Sequence, residues 1–267
     1  GTPLLSEEIV PFTDVSGIYT GKNHSDWKNN RRIRETLYEE KRKRVKKGKI
    51  KAIRGYNNEV ESVIINPESK DNFSAIILDL GKSSVGCPKF EIESSLGGEY
   101  IDLHYSMRDP KNKNFIFEPG NYCFIALEDR YICRKGKQTF ESFHFKGYRY
   151  LLIVFRNVKK PLKVKVSHNF VSYPVKETGN FSCSDELLNK IWKIGEWTLK
   201  CCMLDSYVDC PDREQGQWMG DALVEEEINF YSFRDEPLMR RMIRQCAQSA
   251  IPNGLLCGIF PAESQSR

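Results

Sequence analysis

The sequence predicts a multidomain β + α fold, an N-terminal antiparallel β-sandwich of jelly-roll type followed by a helical segment. Between Val60 and Tyr173, short runs rich in β-branched and aromatic residues alternate with turn formers, which is the texture of a sandwich. Near Ser182 the apolar residues begin to recur at three and four positions, the period of helices. Charge divides the chain in the same place. Residues 176–267 hold 10 Lys+Arg against 15 Asp+Glu, a net of −5, which leaves +10 on residues 1–175. Such an asymmetry is a sign of two modules with different jobs.

Residues 1–59 are expected to be a basic lead-in or linker. Residues 1–26 show little periodicity, and Trp27 to Arg54 holds thirteen Lys and Arg. A basic cluster is one footprint of nucleic-acid binding, but aromatics beyond Trp27 and Tyr38 are absent from it and no nucleic-acid motif surrounds it. A solvated face is the better reading, so no nucleic-acid partner is assigned.

The sandwich is expected over 60–175. Its strand candidates are Ser62–Ile65, Ser74–Leu80, Tyr100–Tyr105, Asn121–Leu127, Tyr148–Phe155 and Leu162–Val166, with turns at Gly97-Gly98 and Pro119-Gly120. Phe140, Phe143, Phe145, Tyr148 and Tyr150 suit either a sandwich core or a sugar-stacking surface, and the core is favoured.

Three helices are expected over 176–267. Ser184 is placed as N-cap of the first, with Asp185 and Glu186 in its first turn. The second is expected to follow Asp221, and the third to start from Asp235 as cap with Pro237 early and Met239, Met242, Ile243, Cys246, Ala247 and Ala250 on one face.

No run of apolar residues approaches eighteen, so no membrane-spanning helix and no membrane partner are expected. The N-terminal residues do not read as a signal peptide. Nine scattered cysteines, an odd number without zinc-like spacing, read as buried free thiols. They favour a reducing, cytoplasmic compartment over a periplasmic one. The four histidines lie far apart and none is near the carboxylate-rich stretch described next, so neither a metal nor a cofactor is expected.

That stretch is Asp209-Cys-Pro-Asp-Arg-Glu-Gln-Gly-Gln-Trp-Met-Gly-Asp221, lying between the first two helices. Four carboxylates beside an indole are the chemistry of a sugar site. Acids hold hydroxyls and move protons, and an apolar wall or a like charge raises a carboxyl's pKa. Asp209, Asp221 and Trp218 are placed to do this for Glu214. Arg213 would oppose them, but in an extended segment adjacent side chains alternate sides. Gly216 and Gly220 permit a tight loop. Asp221 suits a helix N-cap equally well, and the two roles are compatible.

The order Asp209-Cys-Pro-x-Arg-Glu-x-Gly-x-Trp-x-Gly-Asp221 resembles the active-site signature of the bacterial α-L-rhamnosidases of glycoside hydrolase family 78. Asp79-Leu-Gly-Lys, Phe90-Glu-Ile-Glu and the run Gln138–Tyr150 are similar to that family's β-sandwich domain, so the resemblance covers about residues 70–267. It implies that 176–267 opens an (α/α)6 six-hairpin barrel and that terminal α-L-rhamnose is removed with inversion. Glu214 would be the general acid, and Asp209, Arg213, Trp218 and Asp221 would hold the rhamnose. The resemblance implies no metal and no cofactor. Three helices are a fraction of a twelve-helix barrel, so the general base is expected in a further C-terminal part and this stretch alone is expected to be inactive. Glu225, Glu226, Glu227 and Glu263 are not nominated as that base. A non-catalytic carbohydrate-binding sandwich protein is the alternative reading; oligomeric state stays open.

Overall fold

The computed structural model describes residues 3–46, 48–112, 115–116 and 126–262. The turn expected at Pro119-Gly120, the strand expected at 121–127 in all but its last two residues, Cys123 and Glu263 lie outside them.

Within residues 8–170, one compact unit, the strands are hydrogen-bonded antiparallel throughout. After β1 (Ser6–Val10) come β2 (Asp14–Lys22), helix α1 (Ile33–Glu39), β3 (Lys43–Arg44), β4 (Ile50–Arg54) and β5 (Val60–Ile65). Then follow β6 (Asn72–Ser94), β7 (Tyr100–Ser106), β8 (Glu128–Ile132), β9 (Gly136–Glu141), β10 (Lys146–Arg156) and β11 (Leu162–Ser172).

The 23-residue β6 serves two layers. Its first half lies between β2 and β10, and β10 continues to β7 and β8. Its second half lies between β9 and β11, and β11 continues to β5 and β4. Gly86 marks the crossing, because it pairs with Lys146 on one side and Phe170 on the other. Its φ is +148°, and an added Cβ would fall 1.9 Å from the Asn169 carbonyl oxygen. Only glycine fits there.

Alternation along the strands builds the core. Ile76, Leu78 and Leu80 of β6 join Leu151, Ile153 and Phe155 of β10 and Val164 and Val166 of β11 in the inner cluster. The intervening Phe73, Ala75 and Ile77, with Leu152 and Val154, face the other way and are covered by Leu37 of α1. Of the five aromatics between 140 and 150, Tyr148 and Tyr150 are buried and Phe140 packs on the inner cluster, whereas Phe143 is fully exposed.

Residues 8–59 differ from the expected loose lead-in. β2 pairs with β6 along Asp14–Lys22, β4 pairs with β5, and Phe12, Trp27, Leu37 and Ile50 are buried. The basic run is partly neutralised within the fold. Arg34 binds Glu128 at 3.0 Å, Arg54 binds Asp14 at 2.6 Å, and Arg42 donates to the Leu37 carbonyl at 2.6 Å.

Residues 171–262 belong to the second unit, which also takes in the first residues of the chain. It contains α2 (Glu186–Cys202), α3 (Met219–Ser232) and α4 (Pro237–Gln248). Tyr173, Leu199, Met203, Tyr207, Ala222, Phe233, Leu238 and Met242 form its core. The helix starts shift by one to three residues from those expected. Asp185, not Ser184, caps α2 by accepting from the Leu187 N–H at 2.8 Å. Trp218 occupies the N-cap of α3, so Asp221 lies in the first turn and is not the cap. Glu236 precedes Pro237 at the start of α4, and Ala250 lies beyond its end. No helix among the described residues is long and apolar enough to cross a membrane.

Candidate functional site

Asp209–Asp221 connects α2 to α3 and is folded by its own side chains. The Asp209 N–H donates to the Gly216 carbonyl and its Oδ1 accepts the Gly216 N–H, both at 2.9 Å, which closes the loop at its base. Cys210 Sγ accepts the Glu214 N–H at 3.4 Å, and Gln215, at φ +52°, donates its side-chain amide to the Pro211 carbonyl at 2.8 Å. Asp212 Oδ1 takes the Arg213 N–H at 2.8 Å at the exposed tip.

The C-terminal side of the loop is pinned to residues 257–262. Trp218 bridges to Ile259, the Met219 N–H donates to the Gly258 carbonyl at 2.9 Å, and the buried Gln217 amide donates to the Phe260 carbonyl at 2.7 Å. A Cβ on Gly216 would meet Ile259 Cδ1 at 2.7 Å, so a larger residue there requires the Ile259 side chain to shift.

Three of the five sequence-predicted residues come together. The Glu214 carboxylate receives the Arg213 guanidinium on Oε1 and the Trp218 indole N–H on Oε2 at 3.2 Å. The expectation that Arg213 and Glu214 point apart is therefore corrected: residues 211–214 form turns rather than an extended strand, and a turn lets neighbouring side chains converge. Trp218 likewise presents its polar edge to Glu214.

Asp209 and Asp221 act on a different carboxyl, that of Glu225. It sits one turn after Asp221 on α3, only 9 % exposed, and its Oε2 has no hydrogen-bond partner. Burial, then the charges of Asp221 and Asp209, push its pKa up to about 8, while a hydrogen bond from the Cys202 thiol of α2 pulls the other way. Sequence reading passed over this residue. Three successive glutamates carry no distinguishing signal, but the i, i+4 spacing from Asp221 places Glu225 on the same helix face. Burial also raises the Cys202 thiol and the Tyr207 phenol far above their ordinary ranges, with Glu225 adding to both.

Chemically, the loop supplies one carboxylate paired with a guanidinium and an indole N–H, and Asp209, Asp212 and Asp221 as further exposed or half-buried acids, the means to hold a polyhydroxylated ring and pass it a proton. Among the described residues, no group of three or more His, Cys, Asp or Glu is arranged to hold a metal ion.

Comparison with known proteins points the same way. Residues 176–266 match the family model of the bacterial alpha-L-rhamnosidase 6 hairpin glycosidase domain, and residues 69–172 match that of the bacterial alpha-L-rhamnosidase concanavalin-like domain. An alpha-L-rhamnosidase of Formosa agariphila is 31% identical over 162 residues, which is 59% of this chain and 17% of that protein. The crystal structure of a family-78 rhamnosidase of Bacillus sp. GL1 superposes with a TM-score of 0.68 at 30% identity, covering 84% of this chain and 22% of that one. The fold is also that of a Klebsiella oxytoca rhamnosidase with rhamnose bound, at a TM-score of 0.68 and 16% identity, over 98% of this chain and 48% of the other. The chain thus spans about a fifth of the length of the curated relative and of the Bacillus enzyme.

Proposed function

Because the chain belongs to the bacterial α-L-rhamnosidase family, with its concanavalin-like domain and the start of its six-hairpin glycosidase domain, we propose that its parent protein hydrolyses terminal α-L-rhamnosides with inversion. Glu214 is the general acid that protonates the leaving glycosidic oxygen. Asp209, Arg213, Trp218 and Asp221 hold the rhamnose. The general base that activates water stands roughly 6.5–9.5 Å across the sugar and comes from barrel residues beyond this chain. The substrate is a rhamnose-containing glycoside or polysaccharide, in keeping with the rhamnose held by the Klebsiella relative.

The observation that carries this reading is the Arg213–Glu214–Trp218 cluster, set in the family's residue order on the turn before α3. The Arg213 guanidinium and the Trp218 indole N–H each take one oxygen of the carboxylate, which fixes the position from which a proton would be delivered. Trp218, bridged to Ile259, holds the acid's other oxygen through its indole N–H. A glycosidase domain beginning near residue 176 is part of the same proposal.

Two measurements on the full-length enzyme test it. Proton NMR of the first minutes of hydrolysis should show β-L-rhamnose ahead of the α anomer, and initial release of α-L-rhamnose contradicts inversion. Asp221→Ala should raise KM by about tenfold or more with a smaller effect on kcat, as loss of a sugar-holding hydrogen bond does.

A further inference from the structure

The described carboxyls of the helical unit are not equivalent. Glu196 is buried with one oxygen on Lys193 at 2.8 Å, and Glu226 borders an apolar groove of about 580 Å³ between α3 and α4. Glu225 lies one helical turn after Asp221 on α3, and the charges of both Asp221 and Asp209 act on it. The groups that interact with it come from three places: Asp221 on its own helix, Asp209 from the loop, and Cys202 and Tyr207 from the end of α2 and just after it. None of these is a cation. A carboxyl in such surroundings, nine-tenths buried and with one oxygen unpartnered, is stable only while it keeps its proton.

We infer that Glu225 is a positioning residue of the sugar site: as a buried uncharged acid one helical turn from Asp221 it leaves the site's acids free to hold the sugar, and its ionisation in alkali sets a further negative charge against them and ends productive binding. The inference rests on the rhamnose site proposed above and adds to it a residue outside the loop. Like-charged carboxyls that share a pocket do not all ionise together; the least solvated one holds the proton. Here that is Glu225, whose raised value of about 8 agrees with the geometry. While Glu225 is neutral, Asp209 keeps the Gly216 N–H and Asp221 is available to a sugar hydroxyl. Once Glu225 is charged, the loop base, held through Asp209, is the element free to give way.

The test is the pH profile of kcat/KM for the full-length enzyme over about pH 5–10, in wild type, Glu225→Gln and Glu225→Ala. Glutamine copies the neutral acid and cannot ionise. At pH 6, Glu225→Ala should lose tenfold or more, and Glu225→Gln should restore activity to within about threefold. The alkaline limb, near pH 8 in wild type, should move up by at least one unit in Glu225→Gln. An unmoved limb overturns the proposal, and so does a folded Glu225→Gln that is as weak as Glu225→Ala at pH 6. Should neither variant fold, calorimetric titration of the wild-type enzyme with L-rhamnose decides. Affinity falling about tenfold per pH unit above 8 supports the assignment, and affinity constant to pH 9.5 overturns it. Failure of the rhamnosidase reading shows separately, as no rhamnose binding at pH 6.

Discussion

At the scale of single residues, the fold sets the ionisation of groups far from solvent. His168 is fully buried in the sandwich, with Tyr148 Oη at 2.6 Å and Ser84 Oγ at 2.9 Å from its ring nitrogens. Burial pushes its pKa down to about 4. The folded value lies below the unfolded one of 6.5, so the neutral ring's full contribution to stability is present above pH 6.5 and is lost as pH falls toward 4. Denaturant titration of wild type between pH 7 and pH 4 should lose up to about 3 kcal/mol from this group. His168→Gln, which cannot charge, should lack that part of the decline; an identical decline in both proteins contradicts the assignment. Residue identity alone revealed the Asp209–Asp221 loop, because the spaced order of nine residues over thirteen positions is specific. It could not reveal Glu225, since only packing of α3 separates that glutamate from Glu226 and Glu227.

At the scale of elements, β6 is the organising strand and Gly86 its crossing point. Gly86→Ala should destabilise the sandwich by about 3 kcal/mol or more, from a strained positive φ and a clash with backbone that cannot move aside. Equal urea midpoints for the variant and wild type would contradict the two-layer description. Of β6 the sequence marked only Ser74–Leu80 as a strand, and Phe90–Glu93 entered only through the resemblance; pairing with β10 both before and after residues 80–83 makes it one 23-residue strand. The strands of residues 8–59 escaped for another reason. β3 is two residues long, β4 carries Lys51 and Arg54 within five residues, and the nine-residue β2, DVSGIYTGK, is broken by two glycines, so periodicity gave no sign of the pairing that β6 and β5 provide. The helices were legible in number and phase, and their starts were less so. Caps depend on backbone geometry, and Trp218 at the N-cap of α3 follows from its pairing to Ile259 rather than from propensity.

At the scale of the molecule, the sandwich unit is tied together by charge across long stretches of sequence. Arg156, with no exposure, binds Glu40 at 2.6 and 2.8 Å, Asp102 at 2.8 Å and Asn23 at 2.7 Å. Arg130 completes the group on Asp102. Breaking such a network from one side leaves buried acids unpaired, so Arg156→Leu should cost about 3–5 kcal/mol in unfolding free energy. A loss below about 1 kcal/mol would mean that the acids find other partners. None of this was visible in the basic composition of residues 1–175, because a charge count does not say which arginines are buried.

The central claim is that Glu214 donates the proton to the leaving group, and a leaving-group comparison tests it most directly. Full-length wild type and Glu214→Gln are compared on an aryl α-L-rhamnoside with an acidic phenol and on an alkyl α-L-rhamnoside. The account predicts that kcat on the alkyl glycoside, which needs protonation most, falls by about 10²–10⁴, with a much smaller loss on the activated aryl substrate. Equal turnover by the two proteins on the alkyl rhamnoside would contradict it.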